Sequence, residues 1–240
     1  MSNSPQNVAY AVDLSKFIRS RGPNCLIIAR HGETAWNAEG RLQGQQDIEL
    51  NSRGRSQAMI VARTLKAIPI KQVYASSLQR CQQTAKPIAD ANIQQPSLVS
   101  SDLLKETALG ILEGELADHQ STAELTRHYR NFSRDEIGYR IPDGENLHDV
   151  SARVRLFFTE HGQSLRGPEG YLIVGHRNLN KMILKHLLGL SYAEGFRVEQ
   201  EHQRLYLYFG AAKELWSCWL TESSISLTEG YVTSTVKSYA

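Results

Sequence analysis

Cysteine is scarce, with three in 240 residues. Cys25, Cys81 and Cys218 stand far apart and form no CxxC pair. Such an odd, scattered set disfavours a disulfide framework and a cysteine-based zinc site, and it suits a reducing compartment. Long apolar runs are missing too. Nowhere do about eighteen apolar residues follow one another, as a membrane-spanning helix requires. The opening MSNSPQNVAYAVDLSKFIRS has no continuous apolar stretch of signal-peptide length. We therefore expect a soluble, cytoplasmic protein that makes no membrane contact. Charge of one sign is also lacking. The chain's 27 Lys and Arg against 25 Asp and Glu leave +2, so no global field draws it to nucleic acid. Any anion binding has to be local. Repeats and low-complexity tracts are absent, and no pair of histidines has the HExxH spacing or another recognised metal spacing.

What the sequence does have is alternation. Residues 1–23 are polar and weakly amphipathic, end in the breaker Arg21-Gly22-Pro23, and read as an N-terminal extension. From residue 24 to 240 we expect a single domain, a size that can bury a substantial core. CLIIA at 25–29 reads as a buried strand, followed by a helix capped at Asn51 or Ser52. VYAS (73–76), SLVSSDLL (97–104) and YLIVGH (171–176) read as further strands. Helices are expected after the first and last of these and over Leu147–Phe158. LYLYFG (205–210) and WSCWL (216–220) read as late strands that could complete the sheet or pair across a homodimer. The stretch 105–145 is charged and glycine-punctuated without sustained periodicity, and reads as an irregular active-site cover. Alternating strands and helices predict an α/β fold, a three-layer α/β/α sandwich with a largely parallel central sheet.

In open α/β sheets ligands collect at the carboxyl ends of the strands, where the next helix offers free N–H groups to an anion. Arg30 and His31 close the first expected strand, and Arg80 follows the second. Glu106 follows the third and His176 closes the fourth. Two guanidinium groups suit a dianion such as phosphate. A neutral imidazole is a candidate nucleophile and a carboxylic acid a candidate proton donor. The set points to phosphoryl transfer that needs no metal and no cofactor, on a small phosphorylated substrate.

Arg30-His31-Gly32-Glu33-Thr34 with Asn37 resembles the signature of the histidine phosphatase superfamily, in its phosphoglycerate mutase-like branch. RLQGQQDIELNSRGRSQA (41–58), ASSLQRCQQTA (75–85), ETALGILEG (106–114), PDGENLHDVSARV (142–154) and His176 resemble the family's blocks in the same order. The resemblance implies a phosphoglycerate mutase-like sandwich and assigns roles. His31 is the nucleophile that forms a phosphohistidine, and Glu106 is the general acid and then base. Arg30, Arg80 and His176 hold the phosphoryl oxygens, while Asn37, Gln43, Gly44 and Asn178 complete phosphate binding. One position departs from the pattern, because glycine usually follows the second histidine and Arg177 stands here. Arg177 could contact a second acidic group of the substrate, or point away and crowd the turn.

Hydrolysis is expected over a phosphomutase reaction, because ELADHQSTAELTRHYRNFSRDEIGYR after Glu106 lacks the ERHYG-like run of mutase-like members. A phospho-ligand binding module without turnover is the other alternative. Glu113 is expected to be structural. Trp36 and Tyr139 could line the mouth, and Arg127, Arg130, Arg134 and Arg140 could face the substrate if their segment covers the site. The remaining histidines, His202 among them, are expected to be exposed or satisfied in the core.

Overall fold

The computed structural model describes residues 12–22, 24–162, 165 and 169–234. Its first strand, β1 (Cys25–Arg30), is buried at every position. Successive side chains of a strand point to opposite faces, and β1 shows both faces covered. Ile27 and Ala29 join a core shared with α1 (Leu14–Arg21), α3 (Ser52–Leu65) and α4 (Gln79–Ala91). Leu26 and Ile28 join a second core shared with α6 (Leu147–His161) and α7 (Arg177–Leu188). A sheet sandwiched in this way needs an apolar run rather than an alternating one, which is why CLIIA reads so plainly. The expected three layers are present.

The other strands are β2 (Ile70–Ser76), β3 (Ser97–Ser101), β4 (Gly170–Gly175), β5 (Arg204–Phe209), β6 (Glu214–Leu220) and β7 (Ile225–Glu229). They make one seven-stranded sheet in the order β3-β2-β4-β1-β5-β6-β7. β3, β2, β4 and β1 pair in parallel, whereas β5, β6 and β7 follow as an antiparallel meander. The sheet is thus parallel where the polar strand ends gather and antiparallel along one flank. The late strands continue this chain's own sheet. β7, short and only half-buried, carries too weak a pattern to be read from ISLTE.

Helix starts are well marked. The Asn51 side chain accepts from the Gly54 amide to cap α3. Asn146 and Asp149 form a reciprocal capping box at α6, satisfying amides that the helix cannot pair internally.

Two segments differ from expectation. Residues 12–22, the described part of the expected extension, are not loose from the domain. Asp13 caps α1, whose Leu14 and Ile18 are buried in the first core. Phe17 meets the Trp216 ring edge-on at 5.0 Å, and Arg21 lies over both rings. The weak periodicity of VDLSKFIR hid this, because so short a helix is stabilised by what it packs on rather than by propensity. Ile18→Ala should lower stability by about 2–3 kcal/mol, read as a lower urea midpoint at unchanged slope. An unchanged midpoint would contradict the docking of α1.

The stretch 105–145 is not irregular throughout. It contains α5 (Ala123–Arg134), capped by Thr122. Phe132 of α5 is buried with Leu42, Leu109, Leu112 and Ile141 in a third, smaller core. Leu125, Tyr129 and Phe132 have helical spacing, but the arginines and histidine between them obscured it. The helices α2 (Ala35–Ala38) and α8 (Tyr192–Phe196) are also present among the described residues.

Candidate active site

Parallel pairing of β1 with β4 sets Arg30 beside Gly175, and the His31 amide donates to the Gly175 carbonyl at 3.0 Å. The loop that follows is pressed against the start of α3. A Cβ on Gly32 would strike the Gly54 carbonyl, and one on Gly54 would strike Glu33. Both positions therefore need glycine. The Gly32 amide donates to the Thr84 hydroxyl of α4 at 3.0 Å. Thr34 caps α2 with Asn37, whose Oδ1 accepts from the Thr34 amide. That leaves the amide nitrogen of Asn37 as the group it can offer a ligand.

His31 is 3 % exposed. Its Nδ1 lies 2.7 Å from the Gly32 carbonyl. A carbonyl only accepts, so Nδ1 carries the proton and Nε2 keeps its lone pair. Burial pushes the imidazole well below its ordinary pKa, and the Arg80, His176, Arg30 and His202 charges push in the same direction. His31 is thus a neutral imidazole at pH 7.

Arg80 sits in the first turn of α4, after β2, and is 1 % exposed. Its guanidinium donates to the Gly44 carbonyl at 2.8 Å, the Gln46 carbonyl at 2.7 Å and His176 Nδ1 at 3.2 Å. Three of its five N–H groups are anchored and two remain for a ligand. Gly44 takes φ +51° with its α-carbon against Glu113, a place closed to larger residues. Glu113 accepts from the Gln45 and Leu109 amides, a structural brace as expected. Arg30 donates to the Gln200 carbonyl at 2.8 Å. Burial, and then Arg177, lower its pKa to about 10.

Glu106 lies beyond β3 and a short 3-10 turn. Its Oε1 accepts from the Thr107 and Leu179 amides and its Oε2 from the Asn178 amide. The carboxylate therefore caps α7 at the lining of the cleft.

Arg30, His31, Asn37, Gln43, Gly44, Arg80, Glu106, Arg177 and Asn178 line one cleft of about 70 Å³. Gln43 brings to it a buried Oε1 with no protein partner. His176 sits beside His31. It is fully buried and outside the cleft lining, with its ring centroid 5.1 Å from that of His31. Its Nδ1 is taken by Arg80 and its Nε2 lies 3.4 Å from Cys81 Sγ. The Nδ1 contact orients Arg80. Arg177 does line the cleft, with its pKa lowered by burial and raised by Glu106, Glu136 and Glu201. Arg127, Arg130, Arg134 and Arg140 are exposed and outside this lining, and the half-buried Trp36 and Tyr139 are outside it too. Arg140 instead pairs with Asp149 at 2.7 Å, and Tyr139 meets His128 at 2.8 Å.

Three contributors escaped the sequence reading. His202 donates from Nδ1 to the His31 carbonyl at 2.7 Å, its ring centroid 5.6 Å from that of His31. Arg153 of α6 binds Glu145 and the carbonyls of Leu103, Lys105 and Glu106, tying down the loop that delivers Glu106. Gln45 donates to the Glu106 carbonyl at 3.0 Å. Only Arg153 left a signal, as a charge beside the apolar positions Val150, Val154 and Phe157. Among the described residues, no three His, Cys, Asp or Glu side chains gather as a metal-ligand set. No described helix is long and apolar enough to cross a membrane.

Burial lowers the pKa of His31, His176 and His202, the last to about 3. An unfolded chain binds protons at these histidines near pH 6.5, and the folded chain does not. Their stabilising contribution is therefore complete above about pH 6.5 and falls as the pH drops, by about 1.4 kcal/mol per unit for each group. The melting temperature should decline steadily from pH 7 to pH 4, and a flat profile would contradict neutral burial.

This is an α/β protein whose parallel strand ends assemble an arginine-lined cleft around a neutral imidazole. The chain belongs to the histidine phosphatase superfamily, branch 1, whose model matches residues 26–213. It is 38% identical over 172 residues to "Probable phosphoglycerate mutase GpmB" of Enterobacter sp. (strain 638), covering 70% of this chain and 77% of that one. The protein of the same name from Escherichia coli O1:K1 / APEC is 34% identical over 170 residues, with the same shares. Among solved structures, a mycobacterial glucosyl-3-phosphoglycerate phosphatase complexed with VO3 matches at TM-score 0.69 and 24% identity, over 88% of this chain and 100% of that one. The α-ribazole phosphatase of Shigella flexneri matches at TM-score 0.67 and 22% identity, over 88% and 96%. Both share the phosphoglycerate mutase-like fold.

Proposed function

We propose that this protein is a cytoplasmic phosphatase that hydrolyses a small phosphomonoester through a phosphohistidine on His31. The observation that carries this reading is the His31 tautomer: Nδ1–H is held by the Gly32 carbonyl, leaving a neutral Nε2 lone pair in a cleft whose lining includes Arg30 and Arg80. Nε2 attacks phosphorus, the P–N bond forms as the P–O bond breaks, and the leaving oxygen takes its proton from the Glu106 carboxyl. Glu106 then removes a proton from water, whose oxygen attacks phosphorus as the P–N bond breaks. Arg30 and Arg80 hold the equatorial oxygens as charge builds, without reorganising at the moment of reaction. His176 and His202 act at one remove, through Arg80 and the His31 carbonyl.

A phosphomutase is the second reading, favoured by the names of the curated relatives. Against it, the four arginines of 127–140 are turned to solvent rather than to the cleft. The intermediate is tested by rapid quench with a phosphorus-labelled aryl phosphate in the presence of a chelator. Label should appear on the protein, survive alkali and be lost in acid, as an N–P bond is, while phosphate release continues. Turnover without labelled protein, or abolished by the chelator, would contradict the proposal. Label returned to a second hydroxyl of the substrate rather than to water would favour the mutase.

A further inference from the structure

The cleft at His31 does not end at Arg177. Arg30, Asn37 and Arg177 also line an adjoining cleft of about 170 Å³, closed by Lys181 of α7 and by the segment 198–202 that leads into β5. Lys181 is 3 % exposed. Its ammonium lies over the Phe196 ring at 4.0 Å. Among the described residues, neither Lys181 nor Arg30 has a carboxylate within ion-pair distance. Arg30 Nε and Gln200 Nε2 are buried donors with no protein partner, in residues 7 % and 6 % exposed.

Glu33, Glu199 and Glu201 also line this cleft, and Glu136 and Glu106 act on Lys181 without an ion-pair contact to it. Glu33 is held by Arg53 and Asn51, Glu199 by Arg204, and Glu201 is exposed. Desolvated cations with no carboxylate in direct ion-pair contact are costly, and burial pulls the Lys181 ammonium down to about 7. An anion placed between them regains Coulomb energy in a poorly screened site. The two clefts share a wall, so one molecule can reach both.

We propose that this adjoining cleft receives a second anionic group, a carboxylate or a phosphate, of the same phosphoester whose scissile phosphate lies at His31, with Lys181 as its specificity-determining contact. The inference rests on the reading of the His31 cleft as a phosphate site. Arg177 stands at the junction and serves both.

The test is calorimetric titration of the full chain and of Lys181→Met at pH 6, where the lysine is charged. The probes are methylphosphonate, phosphonocarboxylates of two to four carbons, and alkylene bisphosphonates. The parent should bind the best two-anion probe at least about tenfold more tightly than methylphosphonate. Lys181→Met should lose that advantage and keep its affinity for methylphosphonate, and Lys181→Arg should restore it. Whether the carboxylates or the bisphosphonates gain most identifies the second group. Equal binding of one-anion and two-anion probes by the parent would overturn the proposal. So would a Lys181→Met protein that weakens every probe alike. If the probe preference holds while no aryl phosphate is turned over, the cleft assignment stands and the phosphatase reading fails.

Discussion

His31→Ala should lower kcat/KM for an aryl phosphate by at least about 10⁴-fold, a loss of about 5.5 kcal/mol of transition-state stabilisation. No other side chain at the cleft can replace it. Arg30 and Arg80 carry no lone pair for phosphorus, and His176 Nδ1 is occupied by Arg80. Inorganic phosphate should still bind, because the arginines that hold it remain, and the far-ultraviolet circular dichroism should be unchanged. Retained turnover in His31→Ala would contradict the phosphohistidine mechanism. Loss of phosphate binding along with turnover would show that the substitution disturbed the cleft rather than the chemistry.

Arg80→Ala should cost about 10³-fold in kcat, within the range seen when a charge-stabilising donor is removed from a phosphoryl-transfer site. It should also destabilise the fold by about 2–3 kcal/mol, because the Gly44 and Gln46 carbonyls lose their donor and a buried side chain leaves a void. Arg80→Lys separates the two effects. An ammonium keeps the charge but cannot span two carbonyls, the His176 ring and a ligand at once. It should recover part of the stability and about tenfold of the rate. Equal rates for Arg80→Ala and the parent would remove Arg80 from the site. Steady-state kinetics together with urea unfolding read both effects.

Arg80 and His176 show how far a site can be read from the chain alone. Both were legible as polar residues where an apolar run stops, since a strand that leaves the core must end in groups that water or a ligand can satisfy. That His176 is drawn beneath the cleft was not legible, because it depends on Arg80 reaching across 96 residues to its Nδ1. His202 is the stronger case. Nothing in QEHQR separates it from any solvated histidine, and it becomes part of the site only because β5 returns antiparallel beside β1. Arg153 and Glu145 stand eight residues apart, but their use is to hold the loop at Leu103–Glu106, a partner set by the packing of α6 on the sheet.

The sequence by itself determined the layered α/β class, the capped start of α3, the apolar spacing of α6, and the delivery of Arg30, His31, Arg80 and Glu106 to strand ends. These are local consequences of burial period, capping chemistry and chain breaks. Only the tertiary structure decided that α1 belongs to the core and that α5 builds a small core of its own. It alone decided which nitrogen of His31 is free, that the imidazole stays neutral, and that Lys181 and Arg30 line an adjoining cleft with no carboxylate in direct ion-pair contact among the described residues. The reason is physical. Desolvation and charge coupling depend on what surrounds a group in space, and those neighbours come from strands and helices far apart in the chain.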